Sequence, residues 1–189
     1  AGGKGINVNR QLNKLGVKNI ALLFTGGTNG KLLRETLREE KIFFSEIVTK
    51  NETRESAIII DKSDEKIYSF FGTDTLISSN EASEFISKLE KAISTCEIVV
   101  FSGSSPCKET DSIFVEGISI ANKLDKISVC DTYGRHLQDC YNASPTIIHN
   151  NIDEIESSLG LNFKSETDHR DFLNFLYEKG IKQAFITNG

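Results

Sequence analysis

The residues with the clearest capacity for chemistry stand at the start of the chain, where Gly-Gly-Lys-Gly-Ile-Asn occupies positions 2–7. Glycines directly before a helix let a ligand approach the backbone, because no side chain stands in the way. The first helical turn also offers free amide hydrogens and a partial positive charge, which suit a phosphate. Lys4 adds a full charge, and Asn7 follows Gly3 by four residues and so shares its helix face. The segment therefore predicts an anion site at a helix N-terminus.

Polar residues also follow four predicted strands. In an open α/β sheet, ligands bind beyond the carboxyl ends of the strands, so side chains from these loops are expected to converge. One polar loop alone would be weak evidence for a binding site, whereas four polar segments that each follow a strand end predict one. The four segments are residues 102–106 (Ser-Gly-Ser-Ser-Pro), 131–134 (Asp-Thr-Tyr-Gly), 150–154 (Asn-Asn-Ile-Asp-Glu) and 187–189 (Thr-Asn-Gly).

The elements that must position these groups alternate between short β-branched runs and amphipathic helices. Such an order predicts a three-layer α/β/α fold with a mostly parallel sheet covered on both faces. The first helix is expected to present Val8, Leu12 and Leu15 as its apolar stripe. The predicted strands are Ile20–Phe24, Ile98–Phe101, Ile127–Asp131, Thr146–His149 and Gln183–Ile186, and the later helices are Lys31–Glu39, Thr110–Leu124, Asn151–Leu159 and Asp168–Lys179.

Residues 42–76 interrupt the alternation with strands Phe43–Val48, Ser56–Asp61 and Lys66–Phe71. Because no helix separates them, they are expected to form an antiparallel unit outside the main sheet. We interpret 42–76 as a β lid that covers a site or serves as a dimerisation flap. The α/β core would then comprise 1–41 and 77–189.

The composition narrows the possible partners and compartment. A net charge of −5 and three scattered histidines argue against a nucleic-acid surface. No apolar run approaches the ~20 residues that span a bilayer, and no secretory leader is evident, so a membrane is not an expected partner. Four cysteines without a CxxC or zinc spacing indicate reduced structural thiols and a cytoplasmic location, with Cys130 in the core.

The limits of the chain suggest an internal portion of a longer protein. The sequence has no methionine, opens inside the glycine-rich segment, and stops directly after a strand. The core is therefore expected to be incomplete at both ends.

The opening segment, followed by Leu15-Gly16-Val17, resembles the first signature of the ribokinase-like sugar kinases, the phosphofructokinase B family. It is most similar to the sugar-phosphate branch, which includes 1-phosphofructokinase and tagatose-6-phosphate kinase, and the likeness runs the whole length of the chain. The resemblance implies a ribokinase-like, Rossmann-like core with a small β lid. It implies ATP-dependent phosphorylation of a ketose monophosphate, fructose 1-phosphate to fructose 1,6-bisphosphate, with tagatose 6-phosphate as the alternative substrate.

The resemblance also assigns the substrate site. Ser-Gly-Ser-x-Pro at 102–106 is similar to a loop beneath the sugar phosphate, and Thr53-Arg54 is similar to a pair before the lid strand. An arginine fork there suits a phosphate, and with Lys4 it would form a two-cation clamp. A solvated edge charge would explain the arginine equally well without the other motifs. The implied substrate contacts are Gly2, Gly3, Lys4, Asn7, Arg54, Ser102 and Ser104.

A second group of residues resembles the nucleotide site. Asn151-x-x-Glu154 is similar to the motif that organises Mg²⁺, its waters and the ATP phosphates, with Glu154 acting on the metal through water. The same spacing is also a helix-capping pattern, and both uses can coexist. Thr187 and Gly189 are the further implied nucleotide contacts. Asp131, in a segment similar to Asp-Thr-Ser-Gly, is interpreted as mainly architectural.

Several positions depart from the family pattern. Ser105 and Lys108 replace a leucine and a glycine, Tyr133 replaces a serine, and His149-Asn150 replaces Lys-Pro. The family's base aspartate belongs to a Gly-Ala-Gly-Asp segment that these residues lack, so it is expected beyond residue 189 and the chain alone is expected to be inactive. The substitutions Lys108 and His149-Asn150 keep one alternative open, a non-catalytic sugar-phosphate sensor with a degenerate nucleotide site. A dinucleotide-binding domain is disfavoured because GxGxxG is missing.

Overall fold

A computed structural model of the protein describes residues 2–64 and 66–188. Its helices are α1 (Lys4–Lys14), α2 (Gly27–Glu39), α3 (Ser79–Ser94), α4 (Asp111–Lys123), α5 (Leu137–Asn142), α6 (Ile152–Leu159) and α7 (Glu166–Glu178). Its strands are β1 (Ala21–Gly26), β2 (Phe44–Thr49), β3 (Ser56–Asp61), β4 (Lys66–Phe71), β5 (Ile98–Ser104), β6 (Ile127–Tyr133), β7 (Ile147–Asn151) and β8 (Gln183–Thr187). Helices α3 and α5 were not predicted from the sequence.

The main sheet contains four parallel strands in the order β5-β6-β7-β8. A helix lies between each pair of consecutive strands, and this crossover is what allows the strands to run parallel. The pairing brings Ser102 opposite Asp131 and Asn151 opposite Thr187, so the polar segments meet at one edge of the sheet. The predicted α/β class is confirmed.

Strand β2 does not belong to the antiparallel unit that the sequence predicted. It pairs in parallel with β1, from Ala21 opposite Phe44 to Gly26 opposite Thr49, in a separate two-stranded sheet. Helix α2 provides the crossover, and Ile47 of β2 is buried in the main core. Antiparallel pairing is therefore limited to β3 and β4, and the lid bounds 42–76 stay a prediction.

The β3–β4 hairpin exposes apolar side chains on both faces. Its antiparallel register runs from Ser56 opposite Phe71 to Asp61 opposite Lys66. Ile60 and Ile67 are 65% and 67% exposed although they sit opposite each other. The hairpin thus contributes little to the core, which is the geometry expected of a lid or an interface. Those roles remain predictions.

The principal core lies between the sheet and helices α3 and α4. Phe24 of β1 stacks on Phe85 of α3 with ring centroids 4.6 Å apart. Ile93 and Ile118, from α3 and α4, are fully buried. Cys130 is also fully buried and is a free thiol, as the sequence indicated. The core fixes the carboxyl ends of the strands, where the polar loops project.

Helix α1 turns a different face inward from the one predicted. Ile6 and Asn9 are buried, whereas Val8 and Leu12 are half-buried beside a cavity and Leu15 is 76% exposed. Ile6 packs with residues of β1 and α2 in a small second core. The predicted stripe is not the buried one: Asn9 lies on the same side as Ile6 and is accommodated there because its Nδ2 donates to Asn19 Oδ1 at 2.6 Å.

Within the described ranges, no helix combines the length and the apolar character needed to cross a membrane.

Candidate functional site

Lys4 lies at the beginning of α1 and points toward two carboxylates that are distant in sequence. Its Nζ donates to Glu154 Oε1 at 2.6 Å and to Asp131 Oδ1 at 3.2 Å. The ammonium also lies 5.0 Å from the centre of the Tyr133 ring. Burial opposes the charged form, but the hydrogen bond to Glu154 and the charge on Asp131 outweigh it, so the pKa of Lys4 is raised above its ordinary value. Lys4 is therefore a fixed cation.

Asp131 is the point at which three elements meet. Besides Lys4, its carboxylate accepts a hydrogen bond from Ser102 Oγ at 2.9 Å and lies 3.4 Å from His149 Nδ1. Lys4, Asn7, Asp131 and His149 line a cavity of about 370 Å³ beside α1. Asp131 thus lines this cavity beside the apolar side chains of Val8 and Leu12. The sequence predicted a mainly architectural role for it.

Asn151 and Glu154 form a reciprocal capping box at the start of α6. Asn151 Oδ1 accepts from the Glu154 amide at 2.7 Å, and Glu154 Oε2 accepts from the Asn151 amide at 3.2 Å. The capping use of this pair is confirmed. Because Glu154 Oε1 remains directed at Lys4, one carboxylate both caps the helix and faces the site.

A second cavity, of about 290 Å³, is lined by three more of the predicted substrate residues. Gly2, Arg54 and Ser104 line it, together with apolar side chains of β1 and α2. The Arg54 guanidinium forms an ion pair with Asp74 and lies 5.2 Å from the centre of the Phe71 ring. Sequence reasoning missed Asp74, because a pairing partner twenty residues away carries no local signal.

Lys4 and Arg54 line different cavities, so the two-cation clamp expected from the sequence is not assembled in this structure. Lys4 is engaged by Asp131 and Glu154, and Arg54 by Asp74. Residues 102–104, predicted as a loop, are the carboxyl end of β5 and connect the two regions, since Ser102 donates to Asp131 and Ser104 borders the second cavity.

The other predicted site residues are Gly3, Asn7, Thr187 and Gly189. Gly3 is the N-cap of α1 with φ 130°, a backbone conformation that favours glycine. Asn7 is exposed and its Oδ1 accepts from Arg10 at 2.8 Å. Thr187 is exposed at the end of β8, opposite Asn151. The predicted nucleotide contact Gly189 lies outside the described residues.

Asn150, one of the departures from the family pattern, is a buried structural residue. Tyr141 Oη donates to Asn150 Oδ1 at 2.8 Å, and Asn150 Nδ2 donates to the carbonyl of Thr132 at 2.6 Å. Burial raises the pKa of the Tyr141 phenol well above its usual range, so it remains a donor. Asn150 therefore ties β7 to β6 directly below the site.

The donor chemistry around Lys4 fits a hard divalent cation. Magnesium takes oxygen ligands, commonly one or two carboxylates with retained waters and substrate phosphates. Glu154 and Asp131 provide carboxylate oxygens, and they already hold a positive charge between them. Across residues 2–64 and 66–188, no group of three or more His, Cys, Asp or Glu side chains is placed to hold a metal ion. Any role of Glu154 toward a metal stays a prediction.

The chain matches the model of the pfkB family carbohydrate kinases over residues 1–189. With the parallel α/β core and the helix-start lysine already described, this match shows that the chain belongs to the pfkB family of carbohydrate kinases.

Two curated relatives share this sequence pattern. A tagatose-6-phosphate kinase of Staphylococcus epidermidis is 30% identical over 173 residues, covering 90% of this chain and 54% of the relative. A 1-phosphofructokinase of Borreliella burgdorferi is 32% identical over 191 residues, covering 100% of this chain and 60% of the relative. The chain thus spans a little over half the length of the relatives it matches.

Solved structures with the same fold agree with this assignment. A protein described as a possible 1-phosphofructokinase from Thermotoga maritima superposes with a TM-score of 0.89 at 28% identity, covering 98% of this chain and 59% of that one. The tetrameric inhibited form of phosphofructokinase-2 from Escherichia coli gives a TM-score of 0.87 at 22% identity, covering 100% of this chain and 62% of that one. The second likeness supports the fold alone.

Proposed function

We propose that the protein transfers the γ-phosphoryl group of ATP to a ketose monophosphate, and that the substrate is fructose 1-phosphate. The observation that carries the proposal is the position of Lys4, a fixed cation at a helix N-terminus whose ammonium lies between Asp131 and Glu154. A phosphate-binding cation beside metal-binding carboxylates is the arrangement that phosphoryl transfer needs.

The residues around the first cavity have distinct parts in this proposal. Two of the three Lys4 N–H groups donate to Asp131 and Glu154. The third can donate to a phosphate oxygen. The amides of the first turn of α1 add donors for the same anion. Mg²⁺, when bound, would neutralise phosphate charge, and Glu154 would hold it through water. The new bond joins a sugar hydroxyl oxygen to the γ-phosphorus, the bond between that phosphorus and the β-phosphate oxygen breaks, and ADP leaves. The hydroxyl proton would pass to the base aspartate expected beyond residue 189.

The second cavity would complete recognition of the phosphorylated sugar. Arg54 would release Asp74 and turn its fork toward the substrate phosphate when the β3–β4 hairpin closes. Ser104, the last residue of β5, would contact the same ligand, since it lines this cavity with Arg54. The two-cation clamp is therefore proposed for the ligand-bound form.

Tagatose 6-phosphate is the second candidate substrate. The relative from Staphylococcus epidermidis carries that name at 30% identity, whereas the relative named 1-phosphofructokinase matches over the whole chain at 32%. A lysine and an arginine recognise phosphate and do not by themselves distinguish one ketose from another. The longer match is what favours fructose 1-phosphate.

A coupled ADP-release assay on the full-length protein tests the proposal. The panel is fructose 1-phosphate, tagatose 6-phosphate, fructose 6-phosphate and ribose, each with Mg·ATP. The highest kcat/KM is expected with fructose 1-phosphate. A higher value with tagatose 6-phosphate would assign the second candidate instead. Binding of a sugar phosphate without ADP release from any member of the panel would reject the kinase and favour a sensor.

A further inference from the structure

His136 lies outside both cavities, yet hydrogen bonds connect it to the carboxyl end of β5, which lies between them. Thr132 Oγ donates to the carbonyl of Gly103 at 2.6 Å, and His136 Nε2 lies 2.7 Å from the same hydroxyl. A hydroxyl has one hydrogen to donate. Because Thr132 donates it to Gly103, His136 Nε2 must carry a hydrogen and donate to Thr132. The chain of donors therefore runs from His136 through Thr132 to Gly103.

The other ring nitrogen of His136 is buried without a hydrogen-bond partner in the part of the chain that the structure describes. The side chain is 3% exposed, and its ring centroid lies 4.5 Å from that of Phe114. The nearest carboxylate oxygen, Asp111 Oδ1, is 3.7 Å from Nδ1 and already accepts from Arg135 Nη2 at 2.9 Å. An apolar side chain of this size would carry no such unsatisfied nitrogen. A core-filling role therefore does not account for a histidine here.

Gly103 lies at the carboxyl end of β5 opposite Thr132 of β6, where strand pairing and the Thr132 hydroxyl both act on its peptide. Its φ of 98° lies in the region that glycine enters freely, so its own conformational preference does not fix the peptide plane. The peptide unit that follows is planar, so the direction of the Gly103 carbonyl also sets the direction of the Ser104 N–H. Holding the carbonyl toward Thr132 turns that N–H away from Thr132.

We propose that His136 is a positioning residue that, through Thr132, fixes the Gly103–Ser104 peptide and with it residues 102–104, the carboxyl end of β5 that faces the substrate. The inference rests on the proposed function for its kinetic consequence, because Ser102 and Ser104 are predicted substrate contacts. Its structural consequence, that the end of β5 is ordered even when no ligand is bound, is independent of that function.

The protonation of His136 gives the proposal a second signature. Burial lowers the pKa of His136, the charges of Asp111 and Asp139 oppose this, and Arg135 reinforces it, so the net shift is downward. These three charged groups face the ring from α4, from α5 and from the residue before it. An unfolded histidine titrates near pH 6.5. The neutral ring therefore stabilises the fold fully above about pH 6.5, and this contribution is lost as the pH falls through the lower folded pKa.

Two substitutions in the full-length protein separate positioning from packing. His136→Gln keeps an N–H donor near the Nε2 position, whereas His136→Phe keeps the ring and removes the donor. We expect amide exchange of residues 101–106 to match the wild type in His136→Gln. In His136→Phe it should be about tenfold faster, because this segment opens locally when the hydrogen bond is lost. The KM for the sugar phosphate should rise about fivefold in His136→Phe only, with an unchanged KM for ATP.

Thr132 supplies the control, should His136→Phe fold poorly. Thr132→Ser retains the hydroxyl and should behave as the wild type, whereas Thr132→Val should reproduce the faster exchange. His136→Gln should also flatten the loss of thermal stability between pH 6.5 and 5. Equal exchange in all variants, or equal impairment by Gln and Phe at position 136, would overturn the proposal. Failure of the wild type to phosphorylate any sugar would reject the proposed function, while the exchange data would still decide the part played by His136.

Discussion

At the scale of single residues, Lys4 combines two features that the sequence assigned separately. The glycine-rich start predicted a cation for a sugar phosphate, and the Asn-x-x-Glu pattern predicted a carboxylate for the nucleotide and its metal. The structure joins them through a 2.6 Å ion pair between Lys4 and Glu154. A ligand phosphate must compete with this carboxylate for Lys4, so binding of sugar phosphate and metal are expected to influence each other.

Replacing Lys4 with methionine tests which ligand it serves. Methionine keeps most of the side-chain length and removes the charge. A hydrogen bond from a charged donor contributes about 1.5–3 kcal/mol, so the KM for the sugar phosphate should rise roughly 10- to 100-fold. The KM for ATP should change much less. Steady-state kinetics of the full-length protein give both values.

Lys14→Met on the same helix is the matched control, because Lys14 is exposed at the last turn of α1 and lies away from both cavities. It should leave both KM values unchanged. An equal rise in the two KM values of Lys4→Met would remove Lys4 from the substrate site.

At the scale of elements, the close contact between α4 and β5 supports residues 102–104, the carboxyl end of β5. Gly117 of α4 sits against Phe101 of β5, and a Cβ at this position would lie 2.4 Å from the Phe101 ring and 2.9 Å from Leu89 Cδ2. The glycine is needed for this approach, since its helical backbone would accept alanine otherwise. Phe101 lies directly before Ser102, so displacement of the Phe101 ring would also move Ser102, which donates to Asp131.

Gly117→Ala is therefore expected to destabilise the fold. Alanine favours a helix by about 1 kcal/mol over glycine, but overpacking a core typically costs about 1–3 kcal/mol. We expect a net loss of roughly 1–2 kcal/mol in the free energy of unfolding, measured by urea denaturation. Glu116→Ala, one position earlier on the exposed side of α4, should change it by less than about 0.5 kcal/mol. A Gly117→Ala variant as stable as the wild type would show that the helix can move away from β5.

At the scale of the whole molecule, the β3–β4 hairpin presents exposed apolar side chains that the core does not bury. Ile58 and Ile60 on one face and Ile59 and Phe70 on the other are all more than half exposed. Extended apolar patches of this kind mark interaction sites. We propose that two copies of the protein pair through this hairpin.

The double substitution Ile59→Glu/Ile60→Glu places one charge on each face of the hairpin and should convert the dimer to a monomer. Burying a carboxylate without a partner in an apolar interface costs several kcal/mol of association free energy, roughly, so the dimer should dissociate. Sedimentation equilibrium of the full-length protein gives the mass, and Lys62→Glu in the turn between the strands is the control. A wild-type protein that is already monomeric would contradict the proposal.

Much of the fold could be predicted from the chain because its signals are local. Five strands of the predicted α/β alternation appear at the expected places, and so do helices α2, α4, α6 and α7. Helices α3 and α5 were missed, and β2 was paired wrongly. The pairing of β2 with β1 depends on where Ile47 finds apolar partners, and that partner surface comes from a helix more than thirty residues away.

The sequence by itself determined the features that arise within a few residues of one another. The helix that begins at Lys4, the reciprocal cap of Asn151 and Glu154, and the hairpin of β3 and β4 all follow from neighbouring residue types. Only the tertiary structure decided that Lys4 meets Asp131 and Glu154, which are 127 and 150 residues away, and that Arg54 lines another cavity. Local hydrogen bonds and hydrophobic periodicity are written in the order of residues, whereas the meeting of distant side chains depends on how the packed elements orient them.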